Sequence, residues 1–215
     1  MNRAAGLALL AFLVAAPDAA AQGLPHDSAE VHADGTPATS ETLQPGRWSL
    51  GLEIPDGGGS RIGLWHMSGA RTNLGLQVGV QWSDSEDSQD EGGSSSEFAG
   101  WSISVEPTLQ RYLSTSEVVV PFLLFGVDFG IGQSRQRLLA PDRPRESLRT
   151  HYSLGARAGV GAEWFPLSRM SVGGHTGVRI SYRSDDTEDT LLSDRSGHTG
   201  SLRTFVSGIL LRLYF

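Results

Sequence analysis

The feature that most constrains this chain is an alternation of apolar residues with small or polar ones, which begins after Arg47 and recurs to the C-terminus. A repeat of two residues is typical of a β-strand, in which successive side chains point to opposite faces. Helices repeat near 3.6 residues instead, and no long segment here follows that period. The alternation therefore predicts an all-β chain.

Seven segments carry the pattern clearly, and an eighth is less regular. The clear segments are residues 48–54, 74–82, 101–109, 119–131, 152–164, 170–182 and 205–215. None of their apolar-face positions is charged, although 19% of the chain is charged. Near 61–67, Ile62 and Leu64 fix one phase whereas Trp65 and Met67 fit the other, which is consistent with a β-bulge. The sequence thus predicts an eight-stranded antiparallel up-and-down β-barrel.

The other face of these strands decides which side of the barrel is apolar. It is rich in glycine and serine and has a few charges of both signs, whereas a solvent-exposed face usually has many long charged side chains. Small residues and ion pairs suit the narrow interior of an eight-stranded membrane barrel. We therefore expect a lumen ion-pair network made of Glu53, Glu106, Asp128, Arg157, Glu163, His175, Arg179 and Arg212.

Aromatic residues and connection lengths favour a transmembrane barrel. With a periplasmic N-terminus, two aromatic girdles are expected, an outer one with Trp82, Trp101, Tyr152 and Tyr182 and an inner one with Trp48, Trp164 and Phe215. Short connections near 68–72, 114–118 and 166–169 alternate with long ones near 83–100, 133–150 and 184–200. Outer-membrane barrels have short periplasmic turns and long outer loops.

The N-terminus has the pattern of a secretory signal, here assigned to residues 1–21. Arg3 supplies the positive charge, Ala4–Ala16 is the apolar stretch, and Ala19–Ala21 fits a small-residue cleavage site. Residues 22–46 contain scattered apolar residues without a period, which predicts a disordered periplasmic leader. The barrel is expected to occupy residues 47–215.

Composition excludes several functional classes. The chain has no cysteine, so disulfide scaffolds, thiol catalysis and cysteine-ligated metals are excluded. Acidic residues outnumber basic ones by 24 to 17, which argues against a nucleic-acid binder. We expect a monomer without a metal or cofactor.

The C-terminal strand SGILLRLYF ends in a phenylalanine, with Leu211, Leu213 and Phe215 on its apolar face. With this strand and the eight-strand pattern, residues 47–215 resemble the small outer-membrane β-barrel family, which includes the OmpA transmembrane domain and OmpX relatives. The resemblance implies insertion into the outer membrane of a Gram-negative bacterium, where lipid and lipopolysaccharide would be neighbours. It also implies recognition of the terminal phenylalanine by the outer-membrane assembly machinery.

The long connections segregate charge. Acidic residues such as Asp84, Glu86, Asp87, Asp185 and Asp186 occupy two of them, and Arg135, Arg137, Arg143, Arg145 and Arg149 occupy the one between. The basic segment could dock between the acidic ones or onto lipopolysaccharide phosphates, because arginine matches phosphate geometry. Three solvated loops are the simpler alternative. Divalent cation binding by the acidic segments stays open.

One pair of residues suggests catalysis. His151 and Ser153 share a strand face, and they resemble the His-x-Ser element of outer-membrane lipid A deacylases. Such a lipid A-modifying hydrolase is the alternative function. The favoured interpretation is a protein without enzyme activity that has a structural or surface-interaction role, in adhesion or envelope integrity, through its charged outer loops.

Overall fold

The fold is known from a computed structural model, which describes residues 42–56, 59–88, 95–115, 117–139, 145–189 and 195–215. All of these residues belong to one compact unit, residues 31–215. The predicted signal peptide, most of the predicted leader and Arg143 lie outside the described residues. Within the described ranges, no helix is long and apolar enough to cross a membrane.

Eight antiparallel strands form a closed barrel in chain order. They are β1 (Trp48–Pro55), β2 (Arg61–Gly69), β3 (Thr72–Ser88), β4 (Ser95–Tyr112), β5 (Val119–Leu139), β6 (Arg145–Leu167), β7 (Met170–Asp189) and β8 (Arg195–Tyr214). The barrel closes where β1 pairs with β8, from Ser49 opposite Tyr214 to Pro55 opposite Gly208. The predicted eight-stranded up-and-down fold is confirmed.

The two ends of the barrel differ in their connections. At one end, which we call the turn end, short connections join β2 to β3, β4 to β5 and β6 to β7. The same end holds the start of β1 and the end of β8. At the opposite end, the loop end, the longer strands project toward the connections between β3 and β4, β5 and β6, and β7 and β8.

The barrel has an apolar outside and a polar inside. On β6, Val160 is 56% exposed on the outside, whereas Arg157 is only 8% exposed and faces the lumen. The same inversion holds around the ring, because leucine, isoleucine, valine and aromatic side chains dominate the outward positions. An apolar outer surface of this kind is suited to contact with lipid. A closed barrel also leaves no unpaired strand edge in the bilayer. The chain is a transmembrane β-barrel.

The long outer connections expected from the sequence are mostly strand. Residues 83–88 and 95–100 pair with each other as extensions of β3 and β4, and β5 to β8 are extended in the same way. These extensions are polar and show no apolar alternation, because the part of a strand beyond the membrane needs no apolar face. The expectation of long connections near 83–100, 133–150 and 184–200 was wrong for these paired residues, which belong to the strands.

The irregularity in β2 has a different cause from the expected bulge. Residues 61–67 pair with β3 in continuous register, and the register shifts only between Met67 and Gly69. Ile62 and Leu64 face outward, whereas Trp65 and Met67 are buried in the lumen, each about 1% exposed. Both faces of β2 are therefore apolar, which sequence alternation alone interprets as a change of phase.

A bulge does occur in β8. The register with β7 shifts between Gly177 and Val178, so that Phe205 is an extra residue between Thr204 and Val206. Phe205 has a φ of 61°, a left-handed conformation that is uncommon for a bulky residue, and its side chain is exposed. Beyond the bulge the phase of β8 is reversed, and Leu202 takes an exposed position.

The ordered barrel begins before β1. Thr42 is buried and its Oγ1 donates a hydrogen bond to the backbone oxygen of Ser168 at 2.7 Å. Leu43 is buried in the apolar cluster at the turn end, and the Gly46 amide donates to the oxygen of Met67 at 2.7 Å. The last residues of the predicted disordered leader, 42–46, are thus packed against the barrel.

Candidate functional site in the barrel lumen

The lumen near the turn end is built around the carboxylate of Glu163, which is fully buried. Arg212 Nη1 donates to Glu163 Oε2 at 2.8 Å, and the two side chains form a buried ion pair. The other donors to this carboxylate are the side chains of Gln110, Tyr112, Ser171 and Tyr214. A buried charge is tolerated when it is paired and its remaining lone pairs are satisfied. This group, which we call the Glu163 cluster, meets both conditions.

Trp65 fills the lumen beside the Glu163 cluster. The guanidinium of Arg212 lies 4.0 Å from the centroid of the Trp65 ring, a cation–π contact. The indole fits because the neighbouring lumen positions on β1, β2 and β3 are Gly51, Gly63 and Gly75. A Cβ atom at Gly75 would collide with the indole. The bulk of one residue is thus accommodated by three others without side chains.

A second group, the Glu53 cluster, lies in the middle of the lumen. Arg157 donates from Nη1 and Nη2 to the two oxygens of Glu53, at 2.6 and 2.9 Å. Its Nε lies 2.5 Å from Glu106 Oε1, and Arg61 Nη1 donates to the other Glu106 oxygen at 2.7 Å. Two arginines and two glutamates therefore balance in charge. Gln77 and His175 complete the contacts of Glu53, at 2.7 and 3.2 Å.

Nearer the loop end, one ion pair joins β5 to β7 inside the lumen. Arg179 Nη2 donates to Asp128 Oδ2 at 2.6 Å, and the aspartate is buried. The aspartate carboxylate occupies the space above Gly155, where a Cβ atom would clash with it. An eight-stranded barrel has an interior only wide enough for side chains. The Glu163 cluster, the Glu53 cluster and this pair therefore pack the lumen rather than line a channel.

The loop end differs, because a cavity of about 240 Å³ opens there between β3 and β7. Its wall includes Arg149, His151, Arg183 and Asp185. The Arg149 guanidinium binds both oxygens of Asp185, with Nε at 3.1 Å and Nη2 at 2.9 Å. Asp185 is buried, whereas about half of the Arg149 side chain is exposed. We call this cavity the mouth site.

All eight residues of the predicted lumen network lie on the inside of the barrel, and the structure divides them among three groups. The Glu53 cluster holds Glu53, Glu106, Arg157 and His175, the Glu163 cluster holds Glu163 and Arg212, and Asp128 pairs with Arg179. Sequence reasoning missed one further arginine and the neutral and aromatic members of these groups. They are Arg61, Trp65, Gln77, Gln110, Tyr112, Ser171 and Tyr214.

The predicted girdle residues and the C-terminal residues are on the outside of the barrel. Trp48, Trp82, Trp101, Tyr152, Trp164, Tyr182 and Phe215 are all exposed. Leu211 and Leu213 face the same way at the end of β8. Trp82 pairs with Trp101 across β3 and β4, which puts two indoles side by side on the loop-end half of the barrel.

The predicted charge clusters are only partly brought together. Arg135 and Arg137 bind Glu146 of the next strand, with Nε–O distances of 3.0 and 3.5 Å. Arg149 and Asp185 make the one ion pair between the basic and acidic segments that we find among the described residues. The other members lie on extended strands: Asp84, Glu86 and Asp186 are exposed, and Asp87 and Arg145 are placed in β3 and β6.

The residues that suggested catalysis face the lumen. His151 lines the mouth site, and its ring lies above Gly132. The hydroxyl of Ser153 lies above Gly130, one step further into the barrel. Asp185, the register partner of His151, has both oxygens bound to Arg149. An acyl chain in the bilayer is on the other side of the barrel wall, so this arrangement does not form a lipid-facing catalytic triad. No group of three or more metal-ligating residues occurs in the described ranges.

In comparisons with known proteins, this chain is similar to other proteins in its fold. No protein-family model and no curated protein sequence matches the chain. Among solved structures, the chain is similar to a major outer membrane protein from Thermus thermophilus, with a TM-score of 0.53 and 15% identity over 79% of this chain and 98% of that one.

Two further structures match with lower scores. The N-terminal β-barrel domain of Pseudomonas aeruginosa OprF has a TM-score of 0.34 and 12% identity over 79% of this chain and 96% of that one. Ail, the attachment invasion locus protein of Yersinia pestis, has a TM-score of 0.32 and 12% identity over 80% of this chain and 100% of that one. The resemblance to small outer-membrane β-barrels that the sequence suggested is confirmed at the level of the fold.

Proposed function

We propose that this chain is an outer-membrane protein of a Gram-negative bacterium, exported by its N-terminal signal and inserted as a monomer. The observation that carries the proposal is the inverted polarity of a closed barrel, with charges inside and apolar residues outside. In bacteria, barrels of this kind belong to the outer membrane. The Thermus thermophilus protein that shares the fold is itself named an outer membrane protein, which supports the proposal.

The proposed role is structural or one of surface interaction, without catalysis. The lumen is packed by ion pairs, which does not favour transport through the barrel. The loop end offers charged strands that extend past the outer girdle, and these would contact lipopolysaccharide or another surface partner. The C-terminal strand, with Phe215 exposed at its end, would be recognised by the assembly machinery.

Single-cysteine labelling tests the location and the orientation together, because the natural chain has no cysteine. Ser85→Cys places a thiol on an exposed position of β3 at the loop end, and Ala70→Cys places one in an exposed turn at the turn end. In intact cells a membrane-impermeant maleimide should label Ser85→Cys and leave Ala70→Cys unlabelled until the envelope is opened. Labelling of Ala70→Cys alone would show that the turn end, not the loop end, faces outward. Recovery of the chain outside the outer-membrane fraction would refute the proposed location.

A second test concerns the lipid face. Val160→Arg places a charge among the outward residues of β6, where an arginine near the bilayer midplane costs about 2–4 kcal/mol. We expect impaired insertion, seen as loss of the heat-modifiable folded band on gels after extraction. Ser102→Arg on the lumen side of β4, near the mouth site, is the matched control and should insert. Equal insertion of the two variants would contradict the assignment of the faces.

A further inference from the structure

At the mouth site, the packing of the lumen gives way to a cavity with charged walls. Toward the turn end, the next ion pair on this side of the lumen joins Arg179 to Asp128. Arg183 and Asp185 follow Arg179 along the same face of β7 toward the loop end, and both line the cavity.

Positive charge is in excess at this site. Among the described residues, Asp185 is the one carboxylate that lines the cavity, and both of its oxygens are bound by Arg149. That pair is neutral in sum, and it holds the Arg149 guanidinium in a fixed position. Arg183 also lines the cavity and has no carboxylate partner among the described residues. One uncompensated guanidinium therefore faces the cavity beside the imidazole of His151.

Three other arginines of the loop-end half differ from Arg183 because they have carboxylate partners. Arg135 and Arg137 bind Glu146, and Arg179 binds Asp128. An arginine that lines a cavity without a matching carboxylate suits anion recognition, because the guanidinium fork matches phosphate oxygens.

The remaining wall residues suit a sugar. Gln81, Ser102 and Ser134 line the cavity with amide and hydroxyl groups, which both donate and accept hydrogen bonds. Phe98 adds an aromatic side chain to the same wall. The volume of about 240 Å³ is below the usual range for drug-sized ligands, about 300–1,000 Å³, and limits the occupant to a small molecule or the end of a larger one.

The geometry points to a binding site in the barrel mouth for a phosphorylated sugar, whose phosphate is bound by Arg183 and Arg149 and whose hydroxyl groups contact the amide and serine side chains. The inference rests on the proposed function, since it identifies what the outer end of the barrel binds. The phosphorylated sugar has two sources: a free sugar phosphate, or the phosphorylated core of lipopolysaccharide. Both would present the same group to the site.

Titration calorimetry on the full chain in detergent micelles tests the inference, with glucose 6-phosphate as the probe and glucose as the neutral control. We expect glucose 6-phosphate to bind and glucose to bind at least tenfold more weakly, because the charged hydrogen bonds supply much of the affinity. Absence of glucose 6-phosphate binding up to about 1 mM, or equal binding of glucose, would overturn the inference. Displacement of the probe by purified lipopolysaccharide would identify the core sugar as the source, and lack of displacement would identify a free sugar phosphate.

Variants locate the binding. Arg183→Gln should lower the affinity for glucose 6-phosphate by roughly tenfold, and Arg183→Lys should recover part of it through charge without the planar fork. Arg169→Gln removes an arginine from the exposed turn at the opposite end and should leave the affinity unchanged. Arg183 is exposed, so its replacement should not disturb folding, which heat-modifiable gel mobility verifies. Equal affinities of Arg183→Gln and Arg169→Gln would place any binding elsewhere and contradict the site.

The failures of the two proposals are distinguishable. Binding in micelles measures the site regardless of the membrane in which the chain resides, whereas thiol labelling in cells measures location and orientation regardless of any ligand. A barrel that is labelled as expected but binds no sugar phosphate would refute the mouth site alone. A barrel that binds the probe but lies outside the outer membrane would refute the location alone.

Discussion

The turn-end and loop-end halves of the lumen are made from the same strands, yet they differ in how their charges are handled. In the turn-end half, Glu163 and Arg212 are fully buried, and Gln110, Tyr112, Ser171, Tyr214 and Trp65 contribute hydrogen bonds or a packed ring to them. In the loop-end half, Arg149 is half exposed and Arg183 has no partner among the described residues. Stability is therefore concentrated in the packed half, whereas the open half retains charges that are available for binding.

The largest expected effect is from Glu163→Gln in the packed half. This change leaves the fully buried Arg212 without its counter-charge, and removing one partner of a buried pair costs about 3–5 kcal/mol. Urea unfolding in lipid vesicles, followed by gel mobility, measures the loss. The double variant Glu163→Gln with Arg212→Met removes both charges and should regain most of the stability. If Glu163→Gln alone were as stable as the natural chain, the packed half would not depend on its ion pair.

A smaller effect is expected from Gly75→Val, which places a side chain where the Trp65 indole lies. Overpacking of this kind costs about 1–3 kcal/mol. Trp65→Leu in the same chain should relieve the collision and restore part of the loss, which unfolding of the single and double variants measures. Gly200→Ala in β8 is the loop-end control, because no atom lies within 4 Å of its added Cβ. Equal losses for Gly75→Val and Gly200→Ala would remove the contrast between the halves.

The smallest effect is expected from Glu146→Ala, which breaks the exposed pairs with Arg135 and Arg137. Exposed ion pairs contribute about 0–1 kcal/mol, because water and salt screen them and two long side chains lose freedom. The same urea titration, repeated at high salt, should show a small difference that disappears with added salt. A loss comparable to that of Glu163→Gln would mean that the loop-end half is as tightly packed as the turn-end half.

The sequence predicted the barrel because its outward face must be apolar in every strand that crosses lipid. Val160 and its outward neighbours could be identified from period two alone, and so could the lumen charges opposite them, such as Arg157. The strand extensions beyond the girdles could not be identified in this way. Residues such as Asp84 and Glu97 follow no apolar period, because neither face of an extension has to be apolar. The alternation of apolar and polar residues therefore identifies only the parts of the strands that cross the bilayer.

The contacts inside the lumen were beyond sequence reasoning for a different reason. Trp65 and its glycines belong to three strands, and only the register between β1, β2 and β3 brings them together. The same holds for Gly159, a glycine on the lumen face of β6. A Cβ there would lie 2.7 Å from the backbone oxygen of Thr176, so that Gly159→Ser forces the strands apart. Which glycine tolerates a side chain depends on cross-strand distances that no local pattern contains.

The carboxylate of Glu163 receives its hydrogen bonds from β4, β7 and β8, and that of Glu53 receives its contacts from β3, β6 and β7. In a sheet without β8, Glu163 would lack the counter-charge of Arg212 in an apolar environment. The pairing of these acids therefore favours the closed barrel, in which β1 is joined to β8, over a sheet that lacks a strand. The polar residues of the lumen have all of their partners only when the barrel is closed.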